Sequence, residues 1–350
     1  MRLLVTGGLG FIGSAVVRRL IGQGHQVLTL DLATYAASPE ALGEALKHPR
    51  HIWLRADITN PEAVAEAFRQ ADPDAVMHLA AESHVDRSID GPAAFVETNV
   101  TGTLVMLQAA LAHWRALPPG RKEAFRFHHV STDEVFGALE PGDPAFNEGT
   151  RYDPRSPYAA TKAASDHLVR AWQHTYGLPT YITNTTNNYD PWQFPEKLIP
   201  LVALNALDGR PLPVYGKGDN IRDWIHVEDH AEALCLCLER AQPGGTYGLG
   251  ARQERTNLEV VHAICAVLDR LRPDPAGPRA RLITYVTDRP GHDFRYAMDP
   301  AAAEAAIGWR ARYNFEDGLE QTLGWYLANE SWWGPIRAGR YAGKRLGSAA

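Results

Sequence analysis

The sequence predicts an α/β fold, a doubly wound parallel sheet followed by a smaller α/β substrate-binding domain. Three observations predict it. Short apolar or β-branched runs alternate with helical patterns through the first half of the chain, the arrangement that builds a parallel sheet with helices on both faces. A glycine-rich turn joins the first run to the first helical pattern, as in Rossmann-type sheets. Past about Asn188 the texture changes, with Pro191, Pro195, Pro200, Pro211 and Pro213 punctuating short helices and loops.

The expected strands, in order, are Leu3–Thr6, Gln26–Asp31, His51–Ala56, Ala75–Leu79, Phe125–Ser131 and Thr180–Thr185. Helical patterns fall between them at Phe11–Ile21, Pro61–Gln70, Ala93–Arg115 and Tyr158–Tyr176. A helix is expected from Val227 to Arg240, another after Asn257, and a strand at Leu282–Val286. The expected organisation is a cofactor domain over residues 1–187 and a domain over 188–335, some of whose segments return to the first. Residues 336–350, rich in Gly, Arg and Ala, read as a poorly ordered tail.

The 350 residues carry 41 acidic and 35 basic side chains, a net charge of −6 that argues against a general nucleic-acid binder. Only six of the bases are lysine, so local arginines must meet any anionic substrate. Cys235, Cys237 and Cys265 sit in apolar, helical-looking stretches, which suits core packing in a reducing cytoplasm. No apolar run approaches the roughly 20 residues of a membrane span.

Gly7, Gly10 and Gly13 follow the first strand and open a helix, so backbone can approach a pyrophosphate at the helix N-terminus. Asp31 ends the second strand 18 residues after Gly13, placed to accept from a ribose 2′-hydroxyl. Leu32 and Ala33 bring no arginine for a 2′-phosphate, which favours NAD over NADP. Asp57-Ile58 after the third strand, and Leu79-Ala80-Ala81 after the fourth, could border the cofactor or be simple strand-end loops. Tyr158 and Lys162 share one helix face at i, i+4, where the cation would lower the phenol's pKa for proton abstraction. Asp133-Glu134 leaves the fifth strand. Ser131 and Glu134 fit a helix capping box, while the paired carboxyls fit an acid beside a base. His226 and His230, with Asp229 between them, suit capping rather than a metal, and no metal site is expected.

Together these residues resemble the extended short-chain dehydrogenase/reductases, and within them the dTDP-glucose 4,6-dehydratases. The resemblance continues through His84-Val85-Asp86-Arg87-Ser88-Ile89, Thr183-Asn184, Asn187-Asn188-Tyr189 and Phe194-Pro195-Glu196-Lys197-Leu198-Ile199-Pro200. Pro213-Val214-Tyr215-Gly216, Arg222-Asp223-Trp224 and Asp288-Arg289-Pro290-Gly291-His292-Asp293 extend it over nearly the whole chain. It implies Asp133 as general acid, Glu134 as general base and Tyr158 as phenolate, assisted by Lys162 and Thr132. It places Phe11, Ile12, Thr34, Thr98 and Asn188 on NAD. Around a nucleotide-sugar it places Ser83, Asn187, Lys197, Leu198, Pro213, Tyr215, Arg222, Asn257, Arg289, His292 and Tyr296, with Arg222 and Arg289 able to clamp the diphosphate. The implied reaction oxidises C4 of the sugar, eliminates water across C5 and C6, and returns the hydride to C6. The resemblance also implies a homodimer through the helices Ala93–Arg115 and Tyr158–Tyr176.

The sequence departs from this pattern in places. Asp190 replaces a glycine, so a carboxylate beside the pocket is expected to weaken anion binding or alter the backbone. Leu32 replaces a lysine, and Tyr247-Gly248-Leu249-Gly250-Ala251-Arg252 drifts from the usual segment. A nucleotide-sugar 4-epimerase would share the glycine turn and the Tyr158/Lys162 pair, but needs no elimination pair, and Asp133-Glu134 decides against it. The intact reactive side chains speak against a catalytically idle NAD-binding regulator. The choice between dTDP- and UDP-glucose stays open.

Overall fold

The computed structural model describes residues 1–288 and 291–341. In the first half, strands β1 (Arg2–Thr6), β2 (Gln26–Leu30), β3 (His51–Leu54), β4 (Ala75–His78), β5 (Arg126–Thr132) and β6 (Thr180–Thr185) alternate with helices. These are α1 (Phe11–Gly22), α2 (Pro61–Ala71), α3 (Val85–Asp90), α4 (Pro92–Phe95), α5 (Thr103–Ala116), α6 (Pro119–Ala124) and α7 (Pro157–Tyr176). The second half holds β7 (Asn187–Tyr189), α8 (Leu198–Leu207), β8 (Leu212–Tyr215), β9 (Ile221–His226), α9 (Val227–Arg240), β10 (Thr246–Leu249) and β11 (Glu254–Thr256). It ends with α10 (Asn257–Leu271), β12 (Ile283–Val286), β13 (Arg295–Tyr296), α11 (Ala301–Ile307), α12 (Phe315–Ala328) and α13 (Glu330–Pro335).

The main sheet is parallel, in the order β10-β6-β5-β4-β1-β2-β3. β10 thus returns from the second half to extend the first sheet. Strands buried on both faces need apolar runs without alternation, and Leu3, Leu4 and Val5 are each almost wholly buried. One face packs Leu3, Val5, Val16, Leu20, Leu234 and Leu238, joining α1 and α9 to the sheet. The other packs Leu4, Val64, Phe68, Met106, Phe127 and Val169 from α2, α5 and α7. A third core, around Trp224, Ile264, Phe315 and Leu323, supports a smaller sheet in which β11, β13 and β7 all pair with β9.

The helix expected over Ala93–Arg115 is interrupted. Residues Val96–Gly102 form a wide π-type turn between α4 and α5. Asn99 at its centre accepts from Glu82 N at 2.9 Å and donates to Glu82 O at 3.0 Å, so the turn is tied to the loop after β4. Residues 336–341, within the expected tail, are mostly helical, and Ile336 and Tyr341 pack against Phe194.

Candidate active site

The strand order reverses around β1 and β4, where an α/β sheet opens a crevice at its carboxyl ends. A cavity of about 390 Å³ lies there. Its floor is the turn after β1, where Gly7 N donates to Leu30 O at 3.0 Å and Gly10 N to Gly7 O at 3.1 Å. A Cβ on Gly13 would stand 2.0 Å from Gly7 O, and one on Gly7 2.7 Å from Ala80 N, so the turn packs directly on the loop after β4. On Gly10 a Cβ would meet only Gly7 O, at 3.3 Å, so this backbone remains approachable for a pyrophosphate. Asp31 accepts from Leu9 N at 2.9 Å and Ala33 N at 2.8 Å, while its burial raises the carboxyl's pKa. An arginine does reach this corner from the residue after β3, since Arg55 Nε donates to Leu32 O.

Every residue expected at the cofactor lines this cavity: Gly7, Gly10, Phe11, Ile12, Gly13, Asp31, Thr34, Asp57, Ile58, Leu79, Ala80, Ala81, Thr98, Tyr158, Lys162 and Asn188. Thr132, Asp133 and Glu134 line it too, as do Ser83, Asn187 and Lys197. Lys197 Nζ donates to Ser83 O at 2.9 Å, joining two of the expected substrate residues. Leu198, Pro213, Tyr215, Arg222, Asn257, His292 and Tyr296 are not in its wall, and Arg289 lies outside the described residues. Arg222 is buried, donates to the carbonyls of Ile221, Phe294 and Asp293, and covers the Tyr296 ring at 4.2 Å. His292 Nδ1 lies 2.7 Å from Asp288 Oδ1, with its ring edge-on to Tyr215.

The capping-box reading of Ser131 and Glu134 is not what forms. Ser131 Oγ donates to Asp166, and Thr132 Oγ1 instead accepts from Glu134 N at 3.2 Å. The strand continues one residue further than expected, which moves the cap to Thr132. Asp133 is 2% exposed and its Oδ2 is buried without a hydrogen bond. Burial and the charge of Glu134 hold its carboxyl well above the usual carboxylate range, against a smaller opposing effect of Arg222. A carboxyl whose pKa is raised therefore stands beside a second carboxyl at the cavity wall.

The expected lowering of the Tyr158 pKa by Lys162 also needs correction. Burial and the charge of Glu134 push the phenol up, and a hydrogen bond with Thr132 opposes them. Lys162 Nζ is directed to Val130 O at 2.8 Å, and burial lowers its own pKa to about 8. Asp190 turns its carboxylate away from the cavity to His226, at 3.1 Å. The replaced glycine instead leaves a backbone mark, a φ of +157°.

Sequence reasoning missed several cavity residues. Tyr35 donates to Glu196 at 2.9 Å, and Arg87 binds the other Glu196 oxygen at 2.8 Å while covering the Tyr35 ring at 4.0 Å. Glu196 stood in a quoted motif next to Lys197, which was a usable signal. Ser131, Thr185 and Thr186 are strand-end residues that the carboxyl-end rule alone could have supplied.

A family model described as GDP-mannose 4,6 dehydratase matches residues 4–322. A dTDP-glucose 4,6-dehydratase of Escherichia coli is 52% identical, and one of Neisseria meningitidis serogroup B is also 52% identical, each covering 99% of both chains. The chain belongs to the dTDP-glucose 4,6-dehydratase family. Among solved structures, the family's DesIV enzyme from Streptomyces venezuelae, crystallised with NAD, superposes with a TM-score of 0.87 at 42% identity, over 96% of this chain and 100% of that one. A UDP-glucose 4-epimerase of Thermus thermophilus in complex with NAD has a TM-score of 0.81 at 30% identity, over 94% and 100% of the two chains. The dehydratase family thus shares its architecture with epimerases.

Proposed function

We propose that the chain is an NAD-dependent hydro-lyase that converts dTDP-glucose to dTDP-4-keto-6-deoxyglucose. The observation that carries this reading is the buried Asp133, its Oδ2 without a hydrogen bond, next to Glu134, both on the cavity that Tyr158 and Lys162 also line. An epimerase has no use for such a pair.

The cofactor is held by the glycine turn, Asp31, Thr34, the strand-end residues Asp57, Ile58, Leu79, Ala80 and Ala81, and by Thr98 and Asn188. NAD, when bound, supplies the acceptor for the C4 hydride, its donor back to C6, and a positive charge that favours the phenolate. Tyr158 takes the proton from the glucose 4-hydroxyl, with Thr132 hydrogen-bonded to it. The resulting ketone acidifies C5–H, and Glu134 removes that proton. Asp133 gives its proton to the C6 hydroxyl, which leaves as water, and a proton finally returns to C5. Ser83, Asn187 and Lys197 hold the nucleotide-sugar from the cavity wall, and Arg222, His292 and Tyr296 support it from the smaller sheet. Residues 1–187 with β10 serve the cofactor, and most of the remainder serves the substrate.

The same reading includes a cytoplasmic homodimer. Three buried, free cysteines suit a reducing compartment, and the adjoining helices α5 and α7 supply a face for a two-fold contact. Mass spectrometry of products from dTDP-, UDP- and GDP-linked glucose, without added cofactor, tests the reaction. Loss of one water from dTDP-glucose alone is the expected result. An unchanged mass from every substrate would remove the proposal.

A further inference from the structure

We propose that Asp166 is a positioning residue for this reaction, the buried counter-charge that keeps the Lys162 ammonium protonated and fixed against the end of β5. The inference rests on the roles proposed above for Tyr158 and Lys162.

Tyr158, Lys162 and Asp166 recur at four-residue intervals on α7 and so share one helix face. Asp166 is wholly buried, yet no arginine pairs with it among the described residues. Its Oδ2 accepts from Ser131 Oγ at 2.9 Å, Tyr152 OH at 2.8 Å and Asn184 Nδ2 at 3.4 Å. Its Oδ1 has no hydrogen bond and faces His129 Nε2 at 3.2 Å. That same nitrogen lies 3.5 Å from Lys162 Nζ. The carboxylate and the ammonium therefore meet at one imidazole nitrogen, which also lies 3.1 Å from Ser165 Oγ.

The surrounding groups leave Lys162 as the cation that Asp166 answers. Burial pushes His129 down to about 4, so the imidazole between the two is neutral. His78 on β4, 5.4 Å from the His129 ring, is likewise held neutral by burial. Arg170 on α7 is spent on Tyr152 OH and Thr246. Asp133 and Glu134 lie at the cavity, where burial raises the Asp133 carboxyl. Two further contacts join Asp166 to the reacting residues: Ser131 precedes Thr132, and Asn184 donates to both Asp166 and the Thr132 carbonyl, at 3.0 Å to the latter. An asparagine at 166 would keep the shape and lose the charge.

The test is the pH profile of the first hydride transfer, read in a single turnover as reduced cofactor absorbance after mixing holoenzyme with dTDP-glucose. Lys162 titrates at about 8 with Asp166 opposing the effect of burial. In Asp166→Asn the alkaline limb should move down by about one pH unit, costing about fivefold at pH 8 and little at pH 6. A uniform loss at every pH, with the limb unmoved, would mean that Asp166 only packs the strand, and would overturn the proposal. If Asp166→Asn does not fold, recovery of a folded protein in Lys162→Gln/Asp166→Asn decides, and where it folds a thermal double-mutant cycle does. Removing both charges in Lys162→Gln/Asp166→Asn should restore most of the melting temperature lost in either single variant, because an isolated buried charge costs more than a neutral pair. Additive losses in that cycle would overturn it equally. The cycle needs no substrate, so an inactive parent enzyme would count against the reaction and still leave the ion pair decided.

Discussion

Replacing Gly13 and Gly10 by alanine should separate the turn's structural role from its binding role. A Cβ at Gly13 would lie 2.0 Å from Gly7 O, 2.8 Å from Gly7 C and 2.9 Å from Gly8 Cα. All three are backbone atoms, so β1, the turn and the start of α1 must move together. That places Gly13→Ala at the upper end of overpacking costs, about 3 kcal/mol. In a chain of this size the loss corresponds to a melting temperature lower by ~3–6 °C. At Gly10 the nearest atom is a single carbonyl oxygen at 3.3 Å, so the fold should tolerate the methyl group. That methyl group would occupy the space that the pyrophosphate needs, and the expected result is lost cofactor with melting equal to that of the cofactor-free parent. Circular dichroism melts, combined with nucleotide released from the denatured protein, measure both quantities. Equal melting shifts in the two variants would refute the reasoning, as would Gly13→Ala melting with the parent.

Four other outcomes follow from the same geometry. Asp133→Asn should allow C4 oxidation but slow water loss by ~10²–10⁴-fold, with reduced cofactor accumulating, and Glu134→Gln should abolish exchange of the C5 proton with deuterated solvent. Since folding raises the Asp133 pKa above the unfolded value of 3.8, its carboxyl costs stability that grows as pH rises above about 4 and disappears below it. Asp133→Asn should therefore melt higher than the parent at about pH 7 and equal to it at about pH 3, and parity at both values would show that the carboxyl is not raised. Asp190→Gly should leave the substrate KM within about twofold, because a carboxylate paired with His226 outside the cavity adds no repulsion there; a tenfold fall in KM would contradict that. Glu196→Gln weakens a buried charge-assisted contact with Arg87, so bound NAD should dissociate ~10–100-fold faster in a competition assay, and an unchanged off-rate would remove the clasp from cofactor retention.

The main sheet and the cofactor side were legible because their signals are local. The glycine turn, Asp31 and the strand ends each announce themselves within a few residues, and all of them meet at the cavity. The π-type turn at Val96–Gly102 was not legible, since its composition suits an ordinary helix and its cause, Asn99 gripping Glu82, lies in another segment. The cap at Thr132 instead of Ser131 turns on one extra strand residue and on Asp166, 35 positions away. The clasp of Tyr35, Arg87 and Glu196 joins two loops and helix α3, all distant in sequence. Such contacts have no period and no spacing, so only the tertiary structure reveals them.

Arginine carries most of the positive charge in this sequence, and the expectation that it simply attracts the substrate is too simple. Arg222 is buried with its guanidinium engaged by backbone carbonyls and the Tyr296 ring. Its charge still reaches Asp133, where it opposes protonation while Glu134 and Asp223 favour it. Asp223 is itself raised to about 6 by burial, despite accepting from Gln253 N and Ala251 N. Burial and two acidic neighbours thus outweigh one arginine, and the Asp133 carboxyl stays raised. Without Arg222 it would be raised further. The acid role proposed for Asp133 needs a proton held at rest yet released to a leaving hydroxyl, and Arg222 would serve the second half of that requirement.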